Sequence, residues 1–302
     1  MEFRTLGKTG LSVSEVGLGA AQIGWGVADV DAERLLKTAL DVGITFIDTA
    51  AMYGQSEDLI GQFLSTRQDE FVLATKCGDF VGEVDGKTKI CNDYTREGIL
   101  RVIDESRRKL RMDVIDIVQF HGLPQEGDDP EEAFEALLEA KEKGWARFVG
   151  VSADGPSAAD AATRWPLDTQ EFTYNILHQE SSDDLIPTLR SRSMGTIVKR
   201  PIANAVFLSD DRPDGDFNGK PWDRAQRFPL VDLADGMPLP EFALRFALAN
   251  PDVHVAITGS TNPEHLASNS RVSDGVALSN DVVDAAKAAF EDMKQAIEAD
   301  DS

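Results

Sequence analysis

The sequence predicts an α/β protein, a (β/α)8 TIM barrel with an N-terminal hairpin and an extra C-terminal helix. Eight short apolar runs alternate with eight amphipathic stretches, which is the element count of such a barrel. The runs are continuously apolar, as strands of a parallel sheet buried on both faces are. A length of 302 residues fits one barrel, so we expect a single domain over residues 1–302.

The predicted strands are rich in Val, Ile, Leu and Phe: Glu15–Gly19, Ile44–Asp48, Glu70–Lys76, Val114–His121, Arg147–Ser152, Thr169–Tyr174, Gly195–Lys199 and Val253–Thr258. The predicted helices between them are Asp31–Val42, Ser56–Leu64, Thr95–Leu110, Pro130–Lys143, Ser157–Arg164, Asp183–Arg192, Pro240–Ala249 and Pro263–Ser268. Residues that start and stop helices support such bounds: Pro130 begins one helix ahead of two glutamates, and Gly144 ends it.

Three segments lie outside this repeat. Phe3–Val13 predicts a small hairpin with its turn near Gly7–Gly10, and we expect it to plug one end of the barrel. Asn280–Ala299 carries apolar residues at helical spacing and predicts the extra helix. The connection from Asn204 to Met237 is rich in Asp, Gly and Pro. We expect a long irregular loop there, either a substrate loop or an acidic solvated insertion.

The charge of the chain limits its partners. It has 53 Asp and Glu against 30 Lys and Arg, a formal net charge of −23. This charge repels nucleic acid and anionic membrane surfaces, so neither is expected as a partner. The acidic residues are scattered along the chain, which is typical of a halophilic-type surface in a high-salt cytoplasm. An ordinary acidic enzyme is the alternative.

Targeting and cysteine usage favour a cytoplasmic protein without a metal. No apolar run approaches the roughly 18 residues of a membrane span. The opening Met1-Glu2-Phe3-Arg4 lacks the basic and apolar regions of an export signal. Cys77 and Cys91 are the only cysteines, and two cysteines without nearby histidines indicate neither a disulfide framework nor a zinc site.

Ionisable side chains end three successive predicted strands. Asp48 ends the second strand, Lys76 the third and His121 the fourth, and Tyr53 lies in the loop after the second. Each alone is more often structural than functional. Because the carboxyl ends of barrel strands carry the chemistry of such folds, the four together indicate an active site.

These four residue types suit proton transfer to a carbonyl oxygen. Free tyrosine has a pKa of about 10, and a nearby Lys76 ammonium is expected to lower that value for Tyr53. Asp48 can pair with Lys76 and hold it charged. His121 can donate a hydrogen bond to a substrate oxygen. The set predicts a tuned acid that protonates oxygen as hydride arrives at carbon.

The segment Gly43–Glu57, GITFIDTAAMYGQSE, strongly resembles the aldo-keto reductase signature, and so do Thr75-Lys76, Phe120-His121 and Gly150–Ser152. The resemblance runs over nearly the whole chain. It implies an NAD(P)H-dependent reductase of aldehydes or ketones, with a small-molecule carbonyl substrate beside Tyr53, His121 and Trp25. The catalytic tetrad it implies is Asp48, Tyr53, Lys76 and His121. It does not indicate the oligomeric state.

The resemblance also implies where a nicotinamide would bind. Gly19, Ala20 and Ala21 correspond to the segment that lines the nicotinamide pocket beside Asp48, and Ser152 corresponds to the carboxamide-binding serine. Glu171 takes the place of the family's carboxamide-binding Gln. A carboxylate accepts hydrogen bonds but does not donate them. Lys199 stands where an aromatic residue commonly stacks on the nicotinamide ring, and the next two residues, Arg200 and Pro201, adjoin the pyrophosphate.

The adenosine phosphate corresponds to the end of the eighth strand and the helix that follows it. A helix N-terminus favours phosphate through its free N–H groups and its dipole. The residues implied there are Gly259, Ser260, Thr261, His265 and Asn269. Gly259 and His265 stand where some members have the Lys and Arg that bind a 2′-phosphate tightly. Ser260, Thr261 and Asn262 can still hydrogen-bond a phosphate, so NADP(H) is favoured and NAD(H) is the alternative.

Two alternatives keep the same residues. One is a sugar or alcohol dehydrogenase that works in the oxidative direction. The other is a cofactor-binding, redox-sensing subunit with little turnover. Turnover with simple aldehydes distinguishes the second alternative from an enzyme.

The acidic composition predicts a response to salt. Self-repulsion should weaken the fold in dilute buffer, and screening becomes strong near 1 M salt, where the Debye length is about 3 Å. We expect the midpoint of thermal unfolding to rise steadily from low salt to molar KCl. A flat or falling midpoint would count against a salt-adapted surface.

Overall fold

Eight parallel strands close into a barrel in the computed structural model, which describes residues 1–300. The strands, in chain order, are β1 (Phe3–Thr5), β2 (Ser12–Ser14), β3 (Val16–Gly19), β4 (Phe46–Asp48), β5 (Val72–Cys77), β6 (Asp79–Val84), β7 (Lys87–Asn92), β8 (Ile115–Phe120), β9 (Ala146–Ser152), β10 (Thr169–Thr173), β11 (Gly195–Lys199) and β12 (Val255–Gly259). The barrel order is β3-β4-β5-β8-β9-β10-β11-β12, and β12 pairs with β3 to close it. The predicted fold class is confirmed.

The helices are α1 (Asp29–Asp41), α2 (Ser56–Leu64), α3 (Arg96–Leu110), α4 (Pro130–Glu142), α5 (Pro156–Arg164), α6 (Leu185–Ser191), α7 (Asp216–Arg227), α8 (Leu230–Ala234), α9 (Leu239–Leu248), α10 (Pro263–Arg271) and α11 (Asn280–Asp300). Side-chain caps fix several of their starts. The Asp129 carboxylate, for example, accepts hydrogen bonds from the backbone N–H groups of Glu131 and Glu132. Within residues 1–300 no helix combines the length and the apolar character needed to cross a bilayer.

Two segments differ from the prediction. The connection from Asn204 to Met237 is not an irregular loop, because it contains α7 and α8. An antiparallel hairpin, β6–β7, follows β5 and was not predicted. Its Asp85-Gly86 turn has φ of 54° and 69°, as a two-residue hairpin turn with positive φ at both central positions requires. Its strands are largely exposed and lack a continuous apolar run.

The N-terminal hairpin β1–β2 plugs the amino end of the barrel, as predicted. Leu6 and Val13 are fully buried in a small core with inward-facing residues of the barrel strands: Phe46, Ala74, Ile117, Ile197, Val255 and Ile257. The backbone approach is close at Gly7, where a Cβ would lie 2.4 Å from the backbone nitrogen of Gly195. The carboxyl end of the barrel is thereby left as the open mouth.

The plug predicts a stability effect. Leu6→Ala removes a fully buried side chain and leaves a cavity inside the barrel, so it should lower the free energy of unfolding by about 2–5 kcal/mol. Leu11→Ala is the matched control, because Leu11 packs on the same core but is only partly buried. Urea unfolding of both variants measures the difference. Equal losses in the two variants would show that the plug does not form.

Candidate active site

Adjacent strands bring the four ionisable residues to one place at the barrel mouth. Asp48 is the last residue of β4, Lys76 lies in β5, and His121 directly follows β8. These three strands are neighbours, since β5 pairs with both β4 and β8. Tyr53 lies in the turn between β4 and α2, and its hydroxyl reaches His121. The structure therefore brings together all four residues singled out from the sequence.

A buried ion pair forms the base of this cluster. Lys76 Nζ lies 2.5 and 2.6 Å from the two carboxylate oxygens of Asp48, and it donates a further hydrogen bond of 3.2 Å to the carbonyl oxygen of Thr49. The Lys76 side chain is completely buried. Burial alone would lower the pKa of Lys76, but the carboxylates of Asp48 and Glu171 outweigh it and raise that pKa above its ordinary value. Lys76 therefore stays protonated at every physiological pH.

Tyr53 sits above this ion pair. Its hydroxyl lies 3.4 Å from His121 Nε2, and its ring centroid lies 5.3 Å from Lys76 Nζ. Burial raises the pKa of Tyr53 to about 12, although the charge of Lys76 acts in the opposite direction. Lys76 therefore lowers the pKa of Tyr53 as expected, but the net pKa still lies above 10 because desolvation of the phenolate is the larger effect. Tyr53 holds its proton at neutral pH.

His121 is neutral. Burial, aided by the positive charge of Lys76, lowers its pKa to about 3. Its ring meets that of Tyr53 edge to face, with centroids 5.3 Å apart. Nε2 faces the Tyr53 hydroxyl, whereas the buried Nδ1 has no partner among residues 1–300. A neutral imidazole provides one donor and one acceptor to a polar group at the mouth.

A tight contact between two turns places Trp25 beside Tyr53. A Cβ on Gly54 would lie 2.3 Å from the carbonyl oxygen of Gly24, and Gly54 has φ of +55°, so this position requires glycine. The same Cβ would lie 3.3 Å from the Trp25 indole. Trp25 is half exposed. Trp25, which the family resemblance places beside the substrate, therefore adjoins the Tyr53 turn.

Glu171 connects the tetrad to the next part of the barrel. Its Oε2 lies 3.3 Å from Lys76 Nζ and accepts a 3.1 Å hydrogen bond from Gln119 Nε2. Its Oε1 accepts a 3.1 Å hydrogen bond from the Ser152 hydroxyl. The direct contact of Glu171 with Lys76 was not predicted, because only a role in carboxamide binding was inferred.

Lys199 and Asp154 extend the same network. Lys199 Nζ donates a 3.4 Å hydrogen bond to Ser152 Oγ and pairs with Asp154 at 3.2 Å. Asp154 also accepts hydrogen bonds from the backbone N–H and the hydroxyl of Thr173. A carboxamide needs an acceptor for its NH2 group and a donor for its carbonyl. Glu171 supplies the first and the Lys199 ammonium the second, and the Ser152 hydroxyl, whose proton goes to Glu171, offers a further acceptor, so these side chains fit a nicotinamide.

The predicted phosphate segment lies on the neighbouring strand pair. Gly259 ends β12 and pairs with Gly19, the last residue of β3, so Ala20 and Ala21 adjoin it. A Cβ on Gly259 would lie 2.3 Å from Gln22 Oε1, which means that Gln22 takes the space of a larger side chain there. A larger residue at this position would require the flexible Gln22 side chain to move.

The start of α10 offers a small polar group for a phosphate. Ser260 Oγ lies 3.1 Å from His265 Nδ1, and His265, like Thr261, is exposed. Asn269 follows one turn later on the helix. Asn262, considered with them, instead caps α10 by accepting a 3.0 Å hydrogen bond from the Glu264 backbone N–H.

The segment after β11 forms a wall of an adjoining cavity. Arg200 and Pro201 directly follow β11, and the Arg200 guanidinium lies 4.3 Å from the ring centroid of Phe217 on α7. A cavity of about 760 Å3 is lined by Arg200, by Asp154 and by residues of α7. Neither Tyr53 nor His121 lines it. The 204–237 connection therefore contributes to the mouth through α7, although it is not a loop.

Comparison with known proteins identifies the family. The family model described as the aldo/keto reductase family matches residues 15–291. This chain belongs to the aldo/keto reductase family. It is 28% identical to L-galactose dehydrogenase of Arabidopsis thaliana, over 89% of this chain and 87% of the relative.

Two further comparisons extend this likeness. This chain is 26% identical to a probable voltage-gated potassium channel subunit beta of Arabidopsis thaliana, over 94% of each chain. Among solved structures, it resembles an aldo-keto reductase from Bacillus halodurans in its holo form, with a TM-score of 0.82 and 26% identity over 96% of both chains.

Proposed function

We propose that this aldo-keto reductase is an NAD(P)-dependent oxidoreductase that interconverts a carbonyl and an alcohol in a small molecule. One observation carries the proposal: a charged, fully buried Lys76 lies beneath a protonated Tyr53, whose hydroxyl faces the neutral His121 at the open mouth. A proton donor next to a neutral hydrogen-bonding imidazole suits an oxygen atom that gains negative charge.

The chain's own residues would handle the proton. The nicotinamide cofactor, when bound, supplies the hydride in reduction and accepts it in oxidation. Tyr53 gives its proton to the carbonyl oxygen, and His121 orients that oxygen by a hydrogen bond. The Lys76 ammonium stabilises the negative charge left on Tyr53, and Asp48 keeps the ammonium in position. In the oxidative direction the same residues receive the proton.

The cofactor would extend across the mouth from Glu171 to α10. We assign the carboxamide to Ser152 and Glu171, the pyrophosphate to Arg200 and Pro201, and the pocket beside the ring to Gly19, Ala20, Ala21 and Asp48. We assign the adenosine phosphate to Gly259, Ser260, Thr261, His265 and Asn269. NADP(H) is the favoured cofactor, since hydroxyl and imidazole groups are grouped at a helix N-terminus, and NAD(H) is the alternative. The substrate lies between Tyr53, His121 and Trp25.

Three versions of this proposal differ in the role of the site in the cell: reduction of a carbonyl, oxidation of an alcohol, or a subunit with little turnover. Similarity to L-galactose dehydrogenase supports an oxidative reaction on a sugar or alcohol. Similarity to a probable voltage-gated potassium channel subunit beta supports the alternative of a subunit instead of an enzyme. The complete set of Asp48, Lys76, Tyr53 and His121 favours turnover. A panel of carbonyl and alcohol substrates, assayed in both directions with both cofactors, separates the three.

Removing the proton donor tests the mechanism. Tyr53→Phe keeps the ring and removes the hydroxyl, so single-turnover reduction of a carbonyl substrate should slow by about 10²–10⁴. Cofactor affinity, measured separately, should change little. Lys76→Met should slow the same step, and the double variant should be hardly worse than Tyr53→Phe alone because both act on one proton. Hydride transfer at a near-wild-type rate in Tyr53→Phe would mean that another residue is the acid.

Removing the exposed imidazole at α10 tests the cofactor assignment. If Ser260 and His265 contact a 2′-phosphate, NADPH binds more tightly than NADH, and His265→Ala narrows that difference by weakening NADPH binding alone. Ser268→Ala, an exposed change on the same helix, is the control and should leave the ratio unchanged. Fluorescence titration gives both dissociation constants. Tighter binding of NADH by the unaltered protein would refute the preference.

A further inference from the structure

Lys76 has two buried carboxylate neighbours. Asp48 contacts it from β4 and Glu171 from β10 on the other side of the barrel interior, at 2.5 and 3.3 Å. Both carboxylate side chains are almost completely buried. In a medium of low polarity the three charges interact strongly with one another, so the ammonium stabilises both carboxylates at once.

The surroundings of Glu171 hold it in the ionised form. Burial raises the pKa of Glu171, but the positive charges of Lys76 and Lys199 outweigh burial and keep that pKa below its ordinary value. Hydrogen bonds from Gln119 and Ser152 fix both of its oxygens. Its orientation toward Lys76 is therefore set by the barrel and does not depend on a bound molecule.

The charge of Glu171 also acts on Tyr53. The charged and titratable groups that face Tyr53 are Asp48 on β4, Lys76 on β5, His121 after β8, and Glu171 on β10, with Lys199 on β11 beyond them. Lys76 favours the phenolate form of Tyr53, whereas Asp48 and Glu171 oppose it. Burial and the charge of Glu171 raise the pKa of Asp48 well above its ordinary value, although the charge of Lys76 acts in the opposite direction. A neutral residue at position 171 would leave Lys76 opposed by Asp48 alone.

We propose that Glu171 is a positioning residue of the proton-transfer step, which acts through Lys76 and sets the pH above which Tyr53 gives up its proton. This rests on the proposed function only in taking Tyr53 as the proton donor. The carboxylate keeps Tyr53 protonated over a wider pH range than Lys76 and Asp48 alone would. A glutamine here would contact the same neighbours but would make Tyr53 a stronger acid.

The test measures Tyr53 ionisation directly in the protein without added cofactor. The chain has three tyrosines, so phenolate absorbance after a rapid pH jump, with the signal of the Tyr53→Phe background subtracted, isolates Tyr53. In Glu171→Gln the Tyr53 midpoint should fall by roughly one pH unit, since the substitution removes one nearby negative charge. Glu171→Asp withdraws the carboxylate from Lys76 and should produce a smaller shift in the same direction.

The control is Glu57→Gln. Glu57 is also a buried carboxylate, but it accepts a hydrogen bond from Thr75 on the strand that carries Lys76 and is not among the groups that act on Tyr53. Its removal should leave the Tyr53 midpoint unchanged. An unchanged or higher midpoint in Glu171→Gln would overturn the proposal. If Glu171→Gln does not fold, an unchanged midpoint in Glu171→Asp would overturn it.

The pH dependence of single turnover separates this proposal from the assignment of Tyr53. With both correct, the pH above which reduction slows falls in Glu171→Gln by the same amount as the Tyr53 midpoint. A shifted midpoint together with full activity of Tyr53→Phe would refute the assignment of Tyr53 and leave the effect of Glu171 on its ionisation intact. If Tyr53→Phe loses activity as expected but the Tyr53 midpoint does not shift in Glu171→Gln, the role of Glu171 is refuted and the assignment of Tyr53 is kept.

Discussion

A lysine ammonium buried inside the barrel is the feature on which the rest of the site depends. Removing such an ion from water costs several kcal/mol, and this cost is offset only where acceptors surround it with good geometry. Lys76 meets that condition through Asp48, the carbonyl of Thr49 and Glu171. Because these acceptors lie on β4, β10 and the turn after β4, the charge is stabilised only when the barrel is closed.

The closed barrel in turn explains why Tyr53 and His121 have the protonation states described. Both side chains are partly buried near Lys76, and burial disfavours the phenolate and the imidazolium alike. A protonated phenol and a neutral imidazole result. Trp25 adjoins the Tyr53 turn, and α7 lines a neighbouring cavity at the mouth together with Arg200 and Asp154.

Much of this arrangement is local in the sequence and could be predicted from it. Continuous apolar runs indicate a parallel sheet, and the ends of successive parallel strands meet at one edge, which is enough to place Asp48, Lys76 and His121 together. The β6–β7 hairpin is not evident from the sequence because neither strand has a continuous apolar run, although its Asp85-Gly86 turn is typical of a hairpin. The 204–237 connection has a composition rich in turn residues, yet α7 forms there and packs on the mouth.

Features that depend on the barrel interior could not be predicted from the sequence. The contact of Glu171 with Lys76 joins β10 to β5, which are not neighbours in the sheet, so no spacing along the chain indicates it. The raised pKa of Tyr53 is likewise the balance of burial against several charges, and burial is known only once the fold is. The direction in which burial or a neighbouring charge shifts the pKa of Tyr53 could be predicted, but the relative sizes of these shifts could not.

The charge state of Lys76 tests the account most directly. Nitrogen-15 NMR of the lysine side chains, with the Lys76 signal assigned by its absence in Lys76→Met, follows each ammonium through an alkaline titration. At about pH 11, where exposed lysines are mostly neutral, Lys76 should remain an ammonium because two buried carboxylates stabilise it. If Lys76 loses its proton together with the exposed lysines or before them, the buried charge cluster described here does not exist.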